Sequence, residues 1–209
     1  AVVCLVHGLG EHSGRYKHVA EAFTAAGYAL LAFDLRGHGK SAGQRGHAPS
    51  WDALLDDIAH LLSEAAQRFP NRPLFLYGHS MGGALVLNYA LRRKPEITGV
   101  IASGPLLRTA FAPPAWKVAL GRITCQLWPT MSMSNELDPN QISCDPAVVQ
   151  AYVNDPLVHD RLSSRLGMDL LDGGQWALEH AAEFPLPLLL MHGGADGICS
   201  AAASAEFAR

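Results

Sequence analysis

The chain has 209 residues, 49% of them hydrophobic and 17% charged, with 16 Lys and Arg against 19 Asp and Glu for a formal net charge of −3. That composition describes one globular domain long enough to build a full core. It excludes a basic nucleic-acid-binding surface, and no run is long and apolar enough to span a membrane.

Taken in chain order, short apolar runs alternate with helical patterns. Strands are expected at Ala1–Val6, Tyr28–Phe33, Leu74–Tyr77, Gly99–Ala102 and Leu186–Met191. Each is apolar throughout rather than alternating, which is the pattern of strands buried on both faces of a parallel sheet. Between them His18–Ala26 and Ala84–Arg92 read as short helices, and "WDALLDDIAHLLSEAAQRF" as a long one. In that helix Trp51, Leu54, Leu55, Ile58, Leu61, Leu62, Ala65 and Phe69 share one face, opposite Asp52, Asp56, Asp57, Glu64 and Arg68. Ser50 is placed to cap its start, and Pro70 follows its end.

Strand, helix and strand in repetition predict an α/β fold, a mostly parallel sheet with helices on both faces. From about Leu106 to Glu183 the pattern breaks into Pro-, Ser-, Asn- and Asp-rich sequence with mixed helical stretches. We read 107–183 as a cap inserted over the carboxyl edge of the sheet, with 1–106 and 184–209 forming the core. The chain opens on Ala1 within a strand-like run and ends within a helical one, so truncation at both ends is expected. The cysteines (Cys4, Cys125, Cys144, Cys199) are far apart and read as free buried thiols rather than a disulfide framework. The ten histidines show no metal-ligand spacing.

The chemistry concentrates in "LFLYGHSMGGALVL", Leu74 to Leu87. Gly78-x-Ser80-x-Gly82 between a strand and a helix is the pattern of a nucleophile elbow. So tight a turn leaves no room for side chains at Gly78 and Gly82, and it lifts the Ser80 hydroxyl out of the sheet. The first amides of the following helix then face the place where an oxyanion would form, and Met81 N–H is one expected donor. The loop after the first strand carries His7-Gly8-Leu9-Gly10, whose glycines permit close approach to the elbow; Leu9 N–H is the second expected donor. His7 and His12 read as structural ties of that loop. Asp196, in the turn after Leu186–Met191, is the expected acid of the triad. Its histidine should follow Asp196 in the chain, yet none does, and His159, His180 and His192 suit the role poorly. The base is therefore expected outside these residues.

"HGLGEHSGRY", "FDLRGHGKSAG", "GHSMGG", "NDPLVH" and "MHGGAD" together resemble the monoacylglycerol lipases of the α/β-hydrolase fold, in the group also called serine aminopeptidase S33 or lysophospholipase-like hydrolases. The resemblance runs from Val3 to Phe207. It implies Ser80 as nucleophile, Asp196 as acid, Leu9 and Met81 as the oxyanion hole, and a cap shaping an apolar acyl tunnel. It implies a lipid-ester substrate, no metal or cofactor, and a cytoplasmic protein touching membrane surfaces transiently through the cap. Phe111, Trp116, Leu120, Leu127, Trp128, Met131 and Met133 could line that tunnel, dock on lipid, or pack cap against core. A lysophospholipase, a short-chain esterase and a non-catalytic lipid- or partner-binding relative are the alternatives.

Overall fold

The computed structural model describes residues 1–209. Five strands, β1 (Val2–Val6), β2 (Ala29–Ala32), β3 (Leu74–His79), β4 (Gly99–Ser103) and β7 (Leu188–Met191), form one sheet in the order β2-β1-β3-β4-β7. Every pair in it is parallel. The apolar runs therefore fall where the sequence predicts. No end moves by more than two residues: β7 starts two later, and β3 runs two further, through Gly78 and His79, into the serine motif itself.

Helices α1 (Lys17–Ala25), α2 (Trp51–Arg68), α3 (Met81–Arg93), α6 (Ser164–Glu179) and α7 (Ala201–Phe207) surround the sheet. Val2, Cys4 and Val6 of β1 point into a cluster built with α2, α3 and α6. Val3 and Leu5 are just as buried and point the other way, as strand alternation requires. α1 packs on β2 and contributes nothing to that cluster, so it lies on the second face. Helices thus cover both faces, as expected of a parallel sheet.

α2 follows its sequence pattern closely. Its buried residues are Trp51, Leu54, Leu55, Ile58, Leu61, Leu62 and Ala65, and Ser50 Oγ accepts the Ala53 N–H at 3.1 Å. α3 begins three residues earlier than its pattern indicates, directly after Ser80, and every residue from Met81 to Leu91 is buried.

The region 107–183 does not behave as one piece. α4 (Ala115–Leu127), α5 (Pro146–Val153) and the antiparallel pair β5 (Ser132–Ser134) with β6 (Arg161–Ser163) contain almost no buried residues. α6 does: Leu166, Leu170, Ala177 and Leu178 belong to the main core cluster. Gly173 lies against the Trp51 ring, its carbonyl accepts from buried Asn88 Nδ2 at 3.0 Å, and Gly174 lies against the Leu107 carbonyl. Glycine inside a helix costs about 1 kcal/mol. Here the missing side chains let α6 approach α2 and the Leu107 backbone, and packing outweighs propensity. α6 thus packs with the core cluster.

All four cysteines are free, but only Cys4 and Cys199 are buried, and Cys144 is exposed. No helix is long and apolar enough to cross a membrane.

Leu55 is wholly buried in the centre of the α2 face. Leu55→Ala should cost about 2–5 kcal/mol, read as a lower urea midpoint at unchanged slope.

Candidate active site

Ser80 stands between β3 and α3 with φ 53° and ψ −116°, a conformation that side chains rarely adopt. Its environment holds it there. Its N–H donates to the Ser103 carbonyl at 3.0 Å, and its own carbonyl accepts from Ala84 and Leu106, each at 3.0 Å. A Cβ at Gly78 would strike the Gly82 carbonyl, and one at Gly82 would strike the carbonyl oxygens of Val6 and His7. The two glycines are thus places where backbone meets backbone, as the tight turn demands. Pro105 closes against Gly83 from the far side.

The loop after β1 comes to the same point. A Cβ on Gly8 would lie 3.3 Å from that of Ser80. Leu9 N–H has no hydrogen-bond partner in the protein. Met81 N–H is the first amide of α3, outside the helical ladder and at the positive end of the helix dipole. The loop that carries Leu9, the first turn of α3 and the strained serine therefore meet at the carboxyl edge of the sheet.

Glu11, which sequence reasoning passed over, shapes this loop. Its Oε1 accepts from Gly8 N–H at 2.7 Å and from Tyr16 O–H at 2.6 Å, and its Oε2 from Arg15 Nε at 3.1 Å. Burial first, and the Glu11 charge next, push the Tyr16 phenol well above its ordinary value. His7 is fully buried; its Nε2 accepts the Leu35 N–H at 3.0 Å, so Nδ1 carries the proton and donates to the Gly8 carbonyl at 2.8 Å. His12 Nδ1 accepts the Gly14 N–H at 3.2 Å, which leaves Nε2–H to donate to Asp155 Oδ2 at 2.8 Å. Both histidines are structural ties. His38 lies 5.3 Å from the His7 ring and 4.9 Å from that of His159, and its Nε2 has no partner.

Asp196 lies in the turn after β7. Its Oδ1 accepts the amides of Ile198 and Cys199, each at 2.9 Å. Its Oδ2 sits 3.2 Å from His192 Nε2. That imidazole is spoken for: Nε2–H is shared with the Cys199 carbonyl at 3.2 Å, and Nδ1 accepts from Ser204 O–H at 2.7 Å. His159 bonds the Gly37 carbonyl, His180 the Trp176 carbonyl, and His79, next to the serine in sequence, bonds Ser103 Oγ. The side-chain partner of Ser80 Oγ is instead Cys199 Sγ, at 3.8 Å. Cys199 has little nucleophilic character, since burial first and the Asp196 charge second push its thiol up to about 12. It could have been noticed three residues beyond Asp196 in the same turn.

The cap residues Phe111, Trp116, Leu120, Leu127, Trp128, Met131 and Met133 are all exposed, with Leu127 at 82%. None of the seven is buried in the main core cluster.

A family model described as serine aminopeptidase, S33, matches residues 1–209. A monoacylglycerol lipase of Mycolicibacterium smegmatis is 38% identical over 204 residues, covering 97% of this chain and 72% of that protein. An uncharacterized abhydrolase domain-containing protein of Dictyostelium discoideum is 41% identical over 99% of the chain, which spans only 22% of that relative's length. The crystal structure of a Paleococcus ferrophilus monoacylglycerol lipase superimposes with a TM-score of 0.91 at 42% identity, covering 99% of this chain and 78% of that one.

Two measurements probe the geometry. Glycine ordinarily makes a fold less stable than alanine by about 0.5–1 kcal/mol. At position 80 the order should reverse, Ser80→Gly exceeding Ser80→Ala in urea midpoint, because only glycine is at ease at φ 53°. Burial first, and the neighbouring His7 second, hold His38 down to about 3 from 6.5. Between those values the unfolded chain binds a proton that the folded chain refuses. Stability is thus full above about pH 6.5 and falls as pH drops, by about 1.4 kcal/mol per pH unit for each such proton. His38→Asn should flatten the slope of unfolding free energy between pH 6 and 4 by about one proton.

Proposed function

The chain belongs to the serine aminopeptidase S33 family and is a monoacylglycerol lipase-like α/β-hydrolase; from that premise we propose that the full-length protein is a serine carboxyl-ester hydrolase that releases a fatty acid from monoacylglycerol or a similar lipid ester. The observation that carries this reading is the strained φ of Ser80 beside the unpartnered Leu9 N–H. Strain of this kind persists only where the surroundings enforce it, and it clusters at reactive sites.

In this reading Ser80 Oγ attacks the ester carbonyl. The amides of Leu9 and Met81 receive the developing oxyanion, and loss of one such donor costs about 3–4 kcal/mol in related chemistry. The serine proton passes to an imidazole, which returns it to the departing alcohol. No histidine of residues 1–209 hydrogen-bonds Ser80 Oγ, so we assign that base to polypeptide beyond Arg209. Asp196, its Oδ1 anchored by two amides, orients that imidazole with Oδ2. Water then releases the acyl group. The exposed apolar residues of α4 and the chain that follows it form the acyl-binding surface, and the cap is the segment between Leu107 and α6. Transient contact of that surface with a lipid interface belongs to the same reading.

In the full-length protein Ser80→Ala should abolish monoglyceride hydrolysis and labelling by a fluorophosphonate while the urea midpoint moves little. Asp196→Asn should lower kcat by about 10⁴-fold. Turnover retained by Ser80→Ala would remove the nucleophile assignment, and a wild-type rate in Asp196→Asn would move the acid elsewhere.

A further inference from the structure

The loop that offers Leu9 N–H holds an amide with no partner inside the protein. A free loop would relax to satisfy it, so something must restrain this one. Glu11 restrains it from within, through Gly8 N–H. His7 holds it too, donating to the Gly8 carbonyl, and a further restraint comes from a segment more than 140 residues away, between α5 and β6. His159 N–H donates to the Gly10 carbonyl at 2.9 Å, and His12 Nε2–H donates to Asp155 Oδ2 at 2.8 Å. Asp155 is itself fixed, because its other oxygen accepts the Leu157 N–H at 2.9 Å. The fit is close: Gly10 has φ +73°, and a Cβ there would strike the His159 carbonyl. His159 Nε2–H reaches on to the Gly37 carbonyl at 3.2 Å, tying the neighbouring loop as well. The His12 side chain is 10% exposed and that of Asp155 23%, so water competes little for their bond.

We infer that Asp155 and His12 are positioning residues, a clamp by which residues 155–159 hold the oxyanion-donating loop at the distance from Ser80 that the reaction requires. The inference rests on the reading of Ser80 as nucleophile and Leu9 as oxyanion donor. Neither residue touches substrate. Each acts through the backbone at Leu9, so its loss affects the transition state and leaves ground-state binding alone. The segment between α5 and β6 is then part of the catalytic machinery as well as a cover.

The inference is tested on the full-length protein. Asp155→Ala and His12→Leu should each lower kcat for a short-chain ester about 10- to 100-fold, the cost of misplacing a reacting group by about an ångström, with KM unchanged within about twofold. The two share the bond between them, while His12→Leu also removes the acceptor of Gly14 N–H and Asp155→Ala that of Leu157 N–H, so the double variant should lose clearly less than the product of the two single losses. His12→Gln, which keeps an N–H donor near the Nε2 position and an acceptor for Gly14 N–H, should restore most of kcat. A readout independent of turnover uses a Ser80→Ala background, in which Asp155→Ala should speed amide exchange across residues 8–12 about tenfold and leave α2 unchanged. Exchange there at the parental rate overturns the clamp, whatever the activity. So does a kcat loss that multiplies in the double variant, or a properly folded Asp155→Ala with kcat within about twofold of wild type. Hydrolysis retained by Ser80→Ala would instead sink the functional reading, while the exchange result would still report on the clamp.

Discussion

One backbone constraint organises the carboxyl edge of this sheet: β3 must turn into α3 with no space for a Cβ at either flanking glycine. The Gly82 carbonyl occupies the place of a Gly78 side chain, and the carbonyls of Val6 and His7 occupy that of Gly82. β1, β3 and α3 are therefore in backbone contact, and Ser80 between them is forced to positive φ. The strain is borne by the surrounding core, in which α3 is buried from Met81 to Leu91. Shifting the elbow would mean shifting the helix and two strands together.

The parts around the elbow are stitched to one another more than to their own chain neighbours. On one side the chain after β4 runs beside the turn that holds Asp196. Ala110 N–H donates to the Ile198 carbonyl, Ser200 N–H to the Arg108 carbonyl, and Arg108 pairs with Glu206 of α7 through two hydrogen bonds. On the other side residues 155–159 hold the loop after β1. The inserted region is thus rooted at the two places where catalytic groups are proposed to lie. Between its roots α4 presents an apolar, exposed surface.

Much of this was legible in the residues. The strands announced themselves because a parallel sheet covered on both faces demands continuous apolar runs, and α2 because a one-sided helix shows its period. The elbow was legible because only glycine tolerates such backbone contact. α6 was not, since its glycines find their reason only where Trp51 and the Leu107 backbone fill the space they leave. β5 and β6 were not, because three-residue strands of mostly polar sequence carry no periodic signal. Glu11 carries no pattern that marks it, since its grip on Gly8 and Tyr16 depends on how the loop folds back.

By itself, then, the sequence determined the five strands of the sheet, their parallel arrangement, α2 and the serine turn. Those follow from local hydrophobic period and from glycine's missing side chain, both properties of neighbouring residues. Tertiary structure alone decided that Cys199 faces Ser80, that His192 is spent on Ser204 and Asp196, and that Asp155 reaches His12. Such pairings join residues up to 143 positions apart. Hydrogen bonds act over about 3 Å, and which groups come that close is settled only once the whole core has packed.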